Sequence, residues 1–346
     1  MGMATAPLGL GIDAGGSSTR WRLQGADGEG AEGRLPPLAG HLYTAGGREG
    51  ASSLLAGLAA AVEQARGGGV ADERPGGGRA GHDPGGAAAP IGAIVAGVTG
   101  LAAGGGEAAW LRGELAARFA LPIARVGVLD DIELAFRGVF PERDGVLVYA
   151  GTGAIAVCGA PGGGRLRAGG HGYLLDDDGG GFSIGRAALR AVLRAADEAG
   201  APARGALAER IYAAAGGSDW DRLRAYVYAG GRSAVAALAP AVAAAAAAGG
   251  DPDAGRILAW AGDELARLAA VLLARAGAPP RPVALAGGVA RIGGELEARF
   301  RAGLPDGVAV RVVSEEPVRA AARMALAAAT GASAGPASMP GAEWPR

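Results

Sequence analysis

The sequence contains no lysine and no asparagine. Without lysine it cannot carry a Walker A phosphate loop, a pyridoxal Schiff base or a lysine nucleophile. One cysteine, Cys158, and three histidines, His41, His82 and His171, exclude a disulfide framework, a cysteine-rich zinc site and a four-thiolate iron–sulfur cluster within one chain. A net charge of −1 and a pI near 6.4 leave no electrostatic footprint for nucleic acid or an anionic membrane. The alanine-rich stretch 234–248 is too short and too weakly apolar to span a bilayer. No basic segment followed by a long apolar core precedes Leu8, so no signal peptide is visible. The chain is expected to be soluble and cytoplasmic, with neither nucleic acid nor membrane as partner.

What is abundant is glycine, 66 of 346 residues, so a single glycine motif carries less information here than usual. The length favours two domains. Periodicity and turn signals predict strands at Leu8–Ile12, Arg20–Gln24 and Ala31–Leu35, a helix at Arg48–Arg66, a strand at Ile91–Val95, a helix at Glu107–Phe119, a strand at Ala124–Leu129 and a helix from Ile132 to Val139. A second series follows, with strands Val146–Ala150, Ala154–Gly159 and Arg165–Ala168. Helices then fill most of 182–277, with breaks near Gly200, Gly216-Gly217, Gly230-Gly231 and Gly249-Gly250. Strand Val283–Ala286, helix Glu295–Phe300, strand Val308–Val313 and helix Pro317–Ala329 complete it. Strand-strand-strand-helix-strand-helix-strand-helix thus occurs twice, a duplication of architecture rather than of sequence, and such alternation gives mixed sheets flanked by helices. The expected domains are 1–139, containing a flexible insertion at 67–90, and 140–316, containing the helical insertion. A C-terminal helix, 317–329, is expected to return to the first domain, and 330–346 to form a disordered tail.

Three strand ends carry candidate chemistry. Asp13 closes the first strand and is followed by Ala14-Gly15-Gly16-Ser17-Ser18-Thr19. A carboxylate there can hold Mg²⁺, directly or through its waters, while the N–H groups of the turn face phosphate oxygens; the alternative is a plain turn satisfied by its own aspartate. Gly151-Thr152-Gly153 repeats the arrangement after Val146–Ala150, and two such loops suggest ATP held between two domains. Gly287-Gly288, between a strand and a helix, would let a nucleotide lie against the backbone. Asp130-Asp131 ends a strand and opens a helix, where one acid can cap and the other can take a proton from an alcohol. The run Gly169-Gly170-His171-Gly172-Tyr173-Leu174-Leu175-Asp176-Asp177-Asp178-Gly179 reads either as a site loop, in which His171 covers a sugar face, or as a solvated turn and N-cap before Phe182. Cys158 reads as a small core residue.

With these residues the chain resembles the N-acetylglucosamine kinase and BadF/BadG/BcrA/BcrD-type ATPase family of the sugar kinase/Hsp70/actin superfamily. The likeness runs from about Gly9 to Ala328, through Gly11–Arg20, Leu129-Asp130-Asp131, Ala150–Ala156, Gly169–Gly179 and Ala286–Val289. The resemblance implies two duplicated ribonuclease-H-like (actin-like ATPase) domains with a nucleotide and sugar cleft between them, and ATP and Mg²⁺ as cofactors. It implies Asp13 toward the Mg²⁺–phosphate group, with Gly15, Gly16, Ser17, Ser18 and Thr19 around the phosphates together with Gly151, Thr152 and Gly153. It gives Asp131 the proton of a sugar 6-hydroxyl, Gly170, His171 and Asp177 the sugar along with Thr152 and Gly153, and Gly287 and Gly288 the adenosine. Members often form homodimers, which leaves a second copy of the chain to be considered as a partner.

The departures fall on the acceptor side. Members commonly carry Trp at His171, Gly at Asp176, Glu at Asp178 and a sugar-binding Asn near Gly40-His41, whose place His41 takes. The resulting expectation is ATP-dependent phosphorylation of an amino sugar, N-acetylglucosamine or glucosamine, with a small molecule as the reaction partner. The alternatives are an ATPase that activates a partner enzyme, for which a single cysteine per subunit is one too few, and a non-catalytic sugar sensor on the same fold.

Overall fold

The computed structural model describes residues 5–16, 18–38, 42, 47–67, 89–102, 104–248 and 250–332. Ser17, Gly40, His41, most of the 67–90 insertion and the tail from 333 lie outside them. The chain divides into two compact units, residues up to Gly138 together with the segment from Glu316, and Val139–Glu315.

In the first unit, β1 (Leu8–Ala14), β2 (Thr19–Gln24) and β3 (Glu32–Leu35) form an antiparallel meander. Helix α1 (Gly47–Gly67) leads into β4 (Ile91–Val98), and α2 (Gly106–Arg118) into β5 (Val126–Asp130), so β4 and β5 run parallel to β1. The sheet order is β3-β2-β1-β4-β5. Alternation along β1 decides its two faces. Leu10, Ile12 and Ala14 pack into one core with Leu55, Leu58 and Val62 of α1 and Leu111 and Leu115 of α2. On the opposite face stand Gly9 and Gly11, and the C-terminal helix α10 (Pro317–Thr330) lies directly on them. A Cβ at Gly11 would sit 2.3 Å from the backbone nitrogen of Ala322, and one at Gly9 2.2 Å from that of Leu326. Only glycine lets helix backbone approach strand backbone so closely. Val95, Leu129 and Leu134 complete this layer with Ala321 and Ala325.

The second unit repeats the pattern. β6 (Val146–Ala150), β7 (Ala154–Gly159) and β8 (Arg165–Gly169) form the meander, and β9 (Val283–Ala286) and β10 (Val310–Val313) continue parallel to β6. Its order, β10-β9-β6-β7-β8, is that of the first sheet with each strand replaced by its counterpart. Between β8 and β9 come α4 (Gly181–Ala199), α5 (Ala206–Ala215), α6 (Trp220–Ala236), α7 (Ala239–Ala247) and α8 (Pro252–Ala276). Helix α9 (Gly294–Ala302) separates β9 from β10. The core joins Val146, Val148 and Ala150 of β6 to Leu265, Leu268 and Leu272 of α8. Two sheets of one topology, each flanked by helices, are the duplicated ribonuclease-H-like architecture expected from the sequence. No single helix among the described residues is long and apolar enough to cross a membrane.

Local expectations shift in a few places. Ile123–Arg125 is a 3-10 turn closed by the Arg125 N–H on the Pro122 carbonyl, so β5 starts only at Val126. Val308 likewise belongs to a turn, its N–H bonded to Pro305, and β10 begins at Val310. The expected break at Gly230-Gly231 is present: Gly231, at φ 59° and ψ −152°, is non-helical and divides α6 into two helices at a kink.

Candidate functional site

The first unit brings Asp13, Thr99 and Asp130-Asp131 to the carboxyl ends of β1, β4 and β5, where open α/β sheets present ligand-facing groups. The Thr99 N–H, just past β4, bonds the Ala14 carbonyl at 2.9 Å and holds the ends of β4 and β1 together. From that position the Thr99 hydroxyl donates to Asp131 Oδ2 at 2.7 Å. The two adjacent acids divide their work. Asp130 Oδ1 accepts the Glu133 N–H at 2.7 Å and so caps α3 (Asp131–Val139), as a side-chain oxygen at a helix start does for an otherwise unpaired donor. Capping at N3 thus falls to Asp130, while Asp131 Oδ1 takes the N–H of the adjacent Ile132 at 3.0 Å. Burial raises the pKa of Asp131 above the ordinary carboxylate value, opposed by the Thr99 hydrogen bond and reinforced by Asp130.

Asp13 lies directly across from Arg20 in the β1–β2 register and beside Gly97 of β4. Its pKa is raised to about 6, first by burial and then by the Asp131 charge, with Arg20 pulling it down and Glu316 pushing it up. Arg20 is itself engaged in an ion pair with Glu316, the residue before α10. Asp13 is therefore a largely buried carboxylate with more negative than positive company, a situation that a bound cation relieves. Among the described residues no three His, Cys, Asp or Glu side chains are grouped to enclose a metal ion. A single carboxylate is compatible with Mg²⁺, which keeps most of its waters and takes the rest of its ligands from phosphate.

The loop after Asp13 is more self-contained than its sequence suggests. Gly15 uses its N–H on the Ser18 carbonyl, 2.9 Å away, and is not a free phosphate donor. Thr19 is buried and its hydroxyl oxygen accepts the Leu38 N–H at 2.9 Å, which ties down the segment after β3 instead of facing a ligand. Gly16 is exposed and Ser18 buried.

In the second unit the turn Gly151-Thr152-Gly153 closes the same way, Gly151 N–H on the Gly153 carbonyl at 2.9 Å. Helix α4 docks onto it, with the Gly181 and Phe182 N–H groups reaching the carbonyls of Gly151 and Thr152 at 2.8 and 2.9 Å. The first donors of α4 are thus satisfied internally. Asp176, Asp177 and Asp178 do not cap this helix; its N-cap is Gly180, which makes no side-chain cap bond. Asp177 instead organises the loop. It adopts φ 68°, a conformation that Asp tolerates better than most residues. Its Oδ1 accepts the Gly172 N–H at 3.2 Å and its carbonyl accepts that of Gly180 at 3.0 Å. Its carboxylate lies against Gly153, where an added Cβ would be 2.2 Å from Oδ2. Burial raises the Asp177 pKa. Gly170, at φ 68°, turns the chain over Ile155. His171 is exposed, with Nδ1 3.3 Å from the Arg167 guanidinium.

Gly287 has φ 97° and packs on the end of β6, where a Cβ would approach the Ala150 carbonyl oxygen to 2.4 Å. Gly288 is open: a Cβ there would meet only the Arg291 guanidinium, at 3.8 Å. Cys158 is fully buried in β7. The structure thus brings Asp13, Thr99 and Asp131 together in one unit, and Gly153, Gly170, Asp177 and Gly180 in the other. Thr99, Arg20 and Glu316 escaped the sequence reading. Thr99 carries a usable signal, since Val98-Thr99-Gly100 is a strand end followed by hydroxyl and glycine, like Ala150-Gly151-Thr152-Gly153.

Comparison with known proteins agrees with this architecture. An N-acetylmuramic acid/N-acetylglucosamine kinase of Clostridium acetobutylicum is 35% identical over 78 residues, which are 22% of this chain and 26% of that protein. The match therefore spans about a quarter of that relative's length. The structure of a candidate N-acetylglucosamine kinase from Chromobacterium violaceum superposes with a TM-score of 0.63 at 25% identity, covering 94% of this chain and 99% of that one. One from Porphyromonas gingivalis gives 0.68 at 16% identity over 92% and 98%, a likeness of fold alone. The sequence profile of one family spans residues 10–332, nearly the whole chain and every position discussed above except those before Leu10. The chain belongs to the BadF/BadG/BcrA/BcrD ATPase family.

Proposed function

We propose that the protein is an ATP-dependent sugar kinase that transfers phosphate to the 6-hydroxyl of an amino sugar, N-acetylglucosamine or glucosamine, with Asp131 as general base. The observation that carries the reading is the division between neighbouring acids: Asp130 caps the helix, while Asp131 stays uncapped at the sheet's carboxyl edge, oriented by Thr99. A carboxylate whose pKa is raised toward neutrality is a better acceptor for an alcohol proton than an ordinary one, and such a base contributes about 10²–10⁴-fold. Fixing its orientation before the sugar arrives removes a reorganisation cost from the step.

Asp13 is the residue for Mg²⁺, held directly or through water, and its crowding by Asp131 and Glu316 supports that role. The bound ion would supply charge neutralisation on the transferring phosphate. In the second unit, Gly287-Gly288 is assigned the adenosine, supported by the open backbone at Gly288. Thr152 and Gly153 are assigned phosphate and substrate, and Gly170, His171 and Asp177 the sugar. Cys158 is buried and burial pushes its thiol pKa up, which speaks against an activator that ligates an iron–sulfur cluster through its thiolates.

The test is ADP release across hexoses, hexosamines and N-acetylhexosamines, with wild type and Asp131→Asn. The expected result is amino-sugar-dependent release that falls by about 10²–10⁴-fold in the variant, with nucleotide affinity kept. Release that ignores the sugar, or a variant as fast as wild type, would sink the proposal.

A further inference from the structure

Helices α4 and α8 leave between them a cavity of about 310 Å³ that none of the residues discussed so far enters. One wall is α4, with Arg190 and Arg194 one turn apart and Ala191 between them; the other is α8, with Asp253, Arg256 and Trp260. The charges are unequally used. Arg256 is paired with Asp253, but among the described residues neither Arg190 nor Arg194 makes an ion pair or side-chain hydrogen bond. Like charges one turn apart on a helix repel, and an anion between them removes that repulsion. The indole of Trp260 is half-buried, packed against the unit's core, and supplies a flat apolar wall.

We propose that this groove binds a small phosphomonoester carried on a ring, of which a hexose phosphate is representative. The planar guanidinium fork matches phosphate oxygens bidentately, so Arg190 and Arg194 take the phosphate. Trp260 and Ala191 receive the ring's apolar face. The volume lies at the small end of ligand sites, which run from about 300 to 1,000 Å³, and so suits one ring with its phosphate and not a dinucleotide. Neutral sugars lack the charge for the two arginines; inorganic phosphate lacks the ring for Trp260.

Titration calorimetry on the full chain with glucose 6-phosphate, inorganic phosphate and glucose tests this, alongside Arg190→Gln/Arg194→Gln and Trp260→Phe. The wild type should bind glucose 6-phosphate about ten-fold or more tightly than inorganic phosphate. The double variant should lose about ten-fold or more of that affinity with its thermal midpoint and ADP release unchanged, and ligand-induced quenching of tryptophan fluorescence should be lost in Trp260→Phe. The proposal is overturned if the double variant binds glucose 6-phosphate like wild type, since binding then occurs elsewhere, if inorganic phosphate binds equally well, or if no probe binds in the millimolar range.

Discussion

Replacing Asp13 by asparagine should make the protein more stable while lowering its ATP-dependent activity, and the gain in stability should appear only above acidic pH. The folded protein raises the pKa of Asp13 from 3.8 to about 6. At 1.36 kcal/mol per pH unit this corresponds to about 3 kcal/mol by which folding disfavours the charged form. Because the folded value is the higher one, the native state binds the proton more tightly than the unfolded chain does. The wild type is therefore unpenalised below pH 3.8 and loses stability as the pH rises through about 6. Asparagine has nearly the same shape and no charge. Its advantage should be about 3 kcal/mol at pH 8 and should vanish near pH 3.5, or about 6–12 °C in melting temperature at the higher pH for a unit of this size.

Urea denaturation of ligand-free protein at both pH values, in a background with Trp220, Trp260 and Trp344 replaced by phenylalanine so that Trp21 and Trp110 supply the fluorescence, reads the first unit. Equal or lower stability of Asp13→Asn at pH 8, or a gain of the same size at both pH values, would refute the reasoning. Asp131 contributes to the shift, so an Asp131→Asn background should shrink the gain, and a double-mutant cycle measures that coupling. The trade of stability for function expected here is common at sites that need a poised charge.

Two further outcomes follow from other contacts. Thr99→Val removes the hydroxyl that donates to Asp131 Oδ2 and that holds the Asp131 pKa down; the acid limb of the kcat profile should move to higher pH and kcat fall by about ten-fold or more, with Thr99→Ser restoring both. An unchanged profile would deny Thr99 its positioning role. Gly11→Ala forces a Cβ to 2.3 Å from the Ala322 nitrogen and should cost about 1–3 kcal/mol or more by overpacking, seen as a lower urea midpoint; undiminished stability would mean that α10 does not rest on β1.

The elements were legible because most strands and helices carry their own period and many are punctuated by glycine. Boundaries slipped where a turn imitates a strand, as at Ile123–Arg125 and Val308, and where a strand outruns its expected end, as in β4, which continues from Val95 to Val98. What could not be read was the use of each glycine. Gly15 and Gly288 look alike in sequence, yet Gly15 closes a turn on Ser18 while Gly288 faces open space. Gly9 and Gly11 drew no structural reading of their own, though their spacing of two residues on β1 marks the face on which a helix backbone rests. That contact pairs positions more than 300 residues apart, and no local pattern announces it. The acids show the converse. Asp13 and Asp131 stood out as carboxylates at strand ends, whereas Thr99, which orients one of them, is a common residue whose importance comes only from the β1–β4 pairing.

The duplication itself explains why the chemistry is not duplicated. Both meanders turn through a short backbone bond, Gly15 to Ser18 in one and, one residue tighter, Gly151 to Gly153 in the other, and both sheets run in the same order. Their carboxyl edges nevertheless differ at every corresponding strand. β1 presents Asp13 where β6 presents Tyr149, β4 continues into Thr99 where β9 continues into Gly287, and β5 ends in Asp130 where β10 ends in Val313. On the first edge Asp131 already raises the pKa of Asp13, and burial raises both; a second such edge would add a further destabilising cluster without adding a reacting hydroxyl for it to serve. The second unit offers open neutral backbone at Gly288 and keeps its one organising acid, Asp177, bonded to its own loop and packed against Gly153. One topology therefore presents a carboxylate-bearing edge in the first unit, to which the proposed function assigns proton and metal chemistry, and a glycine-lined edge in the second, and the division follows from what burial makes costly.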